Sequence, residues 1–152
     1  MQSDGFPTPV TSARDQLSGL LAGLLDKAPG TTRALLASGD GLKLAWTEQP
    51  IDDADNLAAV ISGLYSLGRQ QFRNTQGGIR QVVVEHDDGS LFVMSAGAEF
   101  TDNKAVNTVL AVVTAPTADP GQVGYVMATF IGGLDEHLVV EARPNSFSGQ
   151  GL

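Results

Sequence analysis

The chain has 152 residues, nine Lys and Arg against 17 Asp and Glu, a formal charge of −8 and no cysteine. This length suits one domain with a core of its own, while the acidic balance and scattered bases exclude a phosphate-backbone binder. Without cysteine there can be no disulfides, thiolate metal ligands or cysteine nucleophiles.

No apolar run approaches the roughly 18 residues of a membrane span. The start, MQSDGFPTP, lacks the basic residues and apolar stretch of a signal peptide, so a cytoplasmic location is expected. Residues 1–11 and 141–152 are rich in Pro, Gly, Ser and Asn, with little periodic apolar content, and read as flexible tails around a domain at 12–140. Ser12 is a suitable N-cap for a first helix, with Leu17, Leu20, Leu21, Leu24, Leu25 and Ala28 at helical spacing before Pro29-Gly30 stops it. In TRALLASGDGLKLAW, two apolar runs flank Ser-Gly-Asp-Gly, the pattern of an antiparallel hairpin. Asp52 is the candidate cap of a second helix reaching about Arg73. IRQVVVEHDDGSLFVMSA repeats the hairpin pattern, and VNTVLAVVTA supplies a fifth strand. A last helix opens at Asp119-Pro120 and places Val123, Met127, Phe130, Ile131, Leu134 and Leu138 on one side. The order is αββαβββα. Strands VVV and LFVM are apolar on both faces, which implies helices on both sides of the sheet: an α/β/α sandwich around a mainly antiparallel five-stranded sheet.

EHDDGS, Glu85–Ser90, gathers three carboxylates and a histidine. Its position between two apolar strands makes Asp88-Gly89 a turn. A calcium loop would need alternating oxygen ligands and a downstream acid, and zinc would need further ligands near His86, whereas His137 lies on another element. No phosphate loop, nucleophile elbow or dinucleotide fingerprint occurs, and SGDGLK lacks the helix whose N-terminus would hold an anion. The pair Asp52-Asp53 has a capping explanation, and Asp135-Glu136 stands near the end of the last helix. No catalytic residue, cofactor or metal is assigned.

The second helix carries two apolar stripes. Leu57, Val60, Leu64 and Leu67 form one, expected to cover the sheet. Ala54, Ala58, Ile61, Tyr65, Gly68 and Phe72 form the other, either buried within the monomer or facing a protein partner, with its two aromatics as anchors. Arg69, Arg73 and Arg80 are the only local basic concentration, either a solvated helix end or a contact for an acidic partner.

The succession LLDKAPGTTRALLASGDGLKLAW, LAAVISGLYSLGRQ, a Gly-Gly linker, IRQVVVEHDDGSLFVMSAG and APTADPGQVGYVMATFIGGL resembles the roadblock family of dynein light chains over about residues 12–140. It is most similar to small actinobacterial members encoded in conservons beside a sensor histidine kinase and a Ras-like GTPase. The resemblance implies a roadblock/profilin-like fold and a non-catalytic platform or regulator for a small GTPase. It also implies a homodimer joined through the second helix and third strand, here Asp53 to Arg73 and Ile79 to His86. The implied contacts are Ala54, Ala58, Ile61, Tyr65, Gly68 and Phe72, with Val82 and Val84 on the strand. One departure is the connection AGAEFTDNKAV, longer and more polar than the turn usual in these relatives, so contacts of the 97–105 loop do not transfer. Two other classes stay open: an adaptor for the histidine kinase, and a sensory domain with a small-ligand pocket lined by Trp46, Phe92 or Met94.

Overall fold

The computed structural model describes residues 12–96 and 108–134. The expectations for both tails, the 97–105 loop, His137, Leu138 and the pair Asp135-Glu136 lie outside the described residues.

Helix α1 spans Ala13–Lys27 and is capped as its sequence suggests: Ser12 Oγ accepts a hydrogen bond from the Asp15 N–H at 3.1 Å. Leu17, Leu21 and Leu24 turn inward, while Leu20 stays 44% exposed. Strands β1 (Thr31–Ala37) and β2 (Lys43–Trp46) form the first hairpin. Gly41 sits in its turn at φ +95°, where a side chain would be strained.

Helix α2 spans Ile51–Gln71. Asp52 is not its cap: the helix starts two residues earlier than a cap there implies, Pro50 occupies the N-cap without a side-chain hydrogen bond, and Asp52 and Asp53 fall in the first turn. There they still meet the positive end of the helix dipole.

Strands β3 (Gln81–His86) and β4 (Gly89–Ala96) follow, closed by the two-residue turn Asp87-Asp88. The turn lies one residue earlier than the sequence suggests, because Gly89 already pairs with His86 as the first residue of β4. Strand β5 (Thr108–Thr114) leads to α3, helical from residue 120 through 134. Asp119 caps α3, its Oδ1 accepting from the Gly121 N–H at 3.2 Å.

The sheet order is β2-β1-β5-β4-β3, every neighbouring pair antiparallel. Side chains alternate between its faces. Leu36, Phe92, Met94, Leu110 and Val112 pack under α1 and α3, with Met127 and Leu134 from α3. Leu35, Val93, Val109 and Ala111 pack under α2. Helices therefore cover both faces of the sheet. Strand β3 departs from the expected deep burial: as an edge strand it leaves Val83 38% and Val84 41% exposed.

Candidate interaction surface

The two edges of the sheet are unlike. Strand β2 has four residues and begins with Lys43, whose ammonium pairs with Asp55 of α2. A short strand carrying a lysine is a blunted edge. Strand β3 has six residues and presents Val82, Val83 and Val84 in succession. Among the described residues no strand pairs with its outer side, and such backbone groups, flanked by apolar side chains, form a template for another strand.

Beside this edge runs the outer face of α2. Val60 is 41% and Leu67 66% exposed, and Leu64 is half-buried between them. Positions 60, 64 and 67 follow i, i+4, i+7 and share a face. Val60 and Leu91 line one depression of about 390 Å³, and Leu91 pairs with Val84 across the β3–β4 hairpin. The stripe on α2 and the valine edge thus form adjoining parts of one apolar surface. Phe72, 59% exposed, extends it at the end of the helix.

This reverses the expected use of most of the two stripes, Leu57 being buried beneath the sheet and Phe72 exposed as expected. Ala54, Ala58 and Ile61 are fully buried and Tyr65 is 5% exposed, all packed against the sheet of their own chain. Gly68 also faces inward: a Cβ built on it would lie 3.3 Å from Ile79 and 3.8 Å from Val82. The small residues let the helix approach the sheet, not a second helix. Ser62 completes the buried face by donating to the Ser38 carbonyl at 3.1 Å. Of the residues expected at a dimer contact, Phe72 and Val84 are accessible and Val82 is partly covered. Of the stripe expected under the sheet, Leu57 is buried there and Leu64 packs partly against the same core, whereas Val60 and Leu67 lie outside. Their spacing was visible in the sequence, but spacing does not state which stripe meets the sheet. Val83 was missed because its side points towards the α1 and α3 face, opposite Phe92.

Arg69, Arg73 and Arg80 do come together, lining a depression of about 1,160 Å³ between the end of α2 and the start of β3. All three are exposed. Arg69 lies over the Tyr65 ring at 5.8 Å, within cation–π range. Among the described residues, ion pairs form instead at Arg14–Asp15, Arg33–Asp53 and Lys43–Asp55.

Trp46, Phe92 and Met94 do not line a common cavity. Phe92 and Met94 belong to the core under α1 and α3, whereas Trp46 packs at the α2 side near the β2 edge. An open groove of about 470 Å³ does run between α1 and α3, with Leu20, Tyr125 and Phe130 on its walls. His86 is exposed, its Nδ1 accepting from the Asp88 N–H at 2.9 Å, which fixes the turn. Among the described residues, no group of three His, Cys, Asp or Glu is placed to hold a metal ion, and no helix is long and apolar enough to cross a membrane.

The Roadblock/LC7 domain profile matches residues 17–114. The chain is similar to the Roadblock/LC7 domain crystal structure from Streptomyces avermitilis, with 40% identity, a TM-score of 0.71, and coverage of 80% of this chain and 97% of that one. Gliding protein MglB from Thermus thermophilus is 20% identical at a TM-score of 0.67, covering 82% of this chain and 90% of its own. Profilin II from Acanthamoeba castellanii is 13% identical at 0.55, covering 83% and 98%. The last two likenesses speak for the fold alone. Among curated proteins, no sequence matches.

Proposed function

The chain belongs to the Roadblock/LC7 domain family, and we propose that it works as a cytoplasmic, homodimeric platform that binds a small Ras-like GTPase in a bacterial signalling system. The reading is one of recognition, not catalysis. The observation that carries it is the apolar surface made by the α2 stripe and the uncovered β3 edge, with Val60, Leu67, Val83 and Val84 all exposed. A monomer gains nothing from leaving such a surface in water, and patches of this kind mark protein contacts. Strand addition at β3 joins two sheets into one, and the α2 helices of both copies then lie on the same side of it. Phe72, Val82 and Val84 are kept from the expected dimer contacts, with Val60, Leu64 and Leu67 replacing the buried residues of α2.

Arg69 and Arg73, with Arg80 beside them, supply the basic contact for an acidic partner surface. A regulator shifts a nucleotide switch only by binding its two states unequally, and a tenfold preference corresponds to about 1.4 kcal/mol. Calorimetric titration with the Ras-like GTPase encoded nearest in the genome, loaded with GDP or a non-hydrolysable GTP analogue, tests this. Binding with unequal affinity is expected. Equal affinity reduces the protein to a passive scaffold, and no binding beside tight binding to a neighbouring sensor histidine kinase makes it a kinase adaptor.

A further inference from the structure

Three arginines of an acidic chain surround one hollow. The depression at the end of α2, about 1,160 Å³, is lined by Arg69, Arg73 and Arg80, and among the described residues no Asp or Glu stands on its walls, although the chain carries a formal charge of −8. Arg69 and Arg73 lie one helical turn apart, where like charges repel. The negative end of the helix dipole accounts for their placement, but not for that of Arg80, which enters from the chain just before β3. The carbonyls at that helix end are already occupied: those of Arg69 and Phe72 accept from the N–H groups of Phe72 and Thr75 at 3.1 and 3.0 Å. Among the described residues neither Arg73 nor Arg80 has an ion pair; the ion pairs of Arg and Lys use Arg14, Arg33 and Lys43.

Such a hollow fits an anion, and its other walls narrow the kind. Arginine presents a planar fork of donors that grips phosphate oxygens two at a time. Three forks match a run of phosphates better than a single carboxylate. Between Arg73 and Arg80 the chain turns through Gly77 at φ +91°, and a Cβ built on Gly77 or Gly78 would meet nothing within 4 Å. Phosphate oxygens can therefore reach bare backbone on that side. Phe72, 59% exposed, stands on the same walls. A ring so exposed can take a nucleobase against its face. Small-molecule sites occupy roughly 300 to 1,000 Å³, so the hollow has room for a nucleotide and not only for one phosphate.

We propose that this hollow binds a free nucleoside polyphosphate, its phosphates held by Arg69, Arg73 and Arg80 and its base against Phe72. The site goes beyond the platform reading and shares only its arginines with it, so the test uses the full-length protein alone. Calorimetric titrations with adenosine triphosphate, guanosine triphosphate, inorganic tripolyphosphate and adenosine separate the parts. At least one nucleoside triphosphate should bind, tripolyphosphate should bind more weakly, and adenosine should not bind at millimolar concentration. Arg73→Gln and Arg80→Gln, which have no ion pair to lose, should each weaken triphosphate binding about tenfold with unchanged circular dichroism. Phe72→Ala should lower the nucleotide affinity to that of tripolyphosphate and leave tripolyphosphate binding unchanged. Added salt should weaken every one of these affinities. Failure of both nucleoside triphosphates to bind at millimolar concentration overturns the proposal, whatever a GTPase titration gives, and so does triphosphate binding that both glutamine variants retain in full. Equal affinity for tripolyphosphate and the nucleotides, indifferent to Phe72→Ala, overturns the nucleotide assignment and leaves an inorganic-anion site. Triphosphate binding as expected, beside a GTPase that does not bind, overturns the platform reading alone.

Discussion

Gly89 lies so close to Thr114 that a Cβ built on it would stand 2.1 Å from the Thr114 carbonyl oxygen. The contact joins the start of β4 to the end of β5, and the glycine adopts φ +150°, strained for any side chain. Gly89→Ala should therefore destabilise the fold by about 2 kcal/mol or more, since the obstacle is backbone and cannot rotate away. Asp87→Asn, at an exposed turn position, should stay within about 0.5 kcal/mol of wild type. Urea denaturation of both variants checks the pair, and equal effects would remove the turn account.

The two faces of α2 should answer differently to the same charge. Leu67 is 66% exposed and Ile61 fully buried. Leu67→Glu should leave each chain folded, with unchanged circular dichroism, while splitting the dimer. Ile61→Glu should unfold the chain, because an unpaired carboxylate beneath the sheet costs several kcal/mol. Dissociation by Ile61→Glu with native circular dichroism would return the interface to the inner stripe.

Ser62→Ala tests how α2 is tied to the first hairpin. Removing its hydroxyl frees the Ser38 carbonyl from a 3.1 Å bond, with an expected loss of about 1 kcal/mol in thermal or chemical unfolding. The oligomeric state should not change. A neutral result would show that the bond the carbonyl keeps from the Gly41 N–H, 3.0 Å, satisfies it without the hydroxyl.

Charge reversal of Arg69 and Arg73 together should weaken GTPase binding by roughly tenfold and flatten its salt dependence, since exposed charges act mainly through long-range steering. Calorimetry and association rates at two salt concentrations separate this from a folding defect. Unaltered affinity and salt slope would leave both arginines as solvated ends of α2.

The element order was legible because each boundary carries local chemistry: Ser12 and Asp119 cap their helices, and Gly41 and Gly89 sit where the backbone requires them. Tertiary packing decided what local chemistry could not. On α2, both stripes satisfy helical spacing, and nothing in a helix alone states which one meets the sheet. Ala54 and Ala58 permit close approach, so Leu57, Ile61 and Tyr65 beside them reach the sheet, and Val60 and Leu67 on the opposite face are left outside. Likewise Val82, Val83 and Val84 read as a buried strand until the sheet order places β3 at an edge. Arg80 is near Arg69 and Arg73 through the turn between α2 and β3, which spacing on one helix could suggest only for the latter two.

The most direct test of self-association through α2 and β3 is the solution mass of the full-length protein by light scattering at tens of micromolar, beside a Leu67→Glu, Val84→Glu double variant. The wild type should show twice the 15.8 kDa mass of the chain, and the variant a single chain mass with unchanged circular dichroism. A wild type at the single mass, or a variant that keeps the doubled mass, would contradict the placement of the interface on this surface.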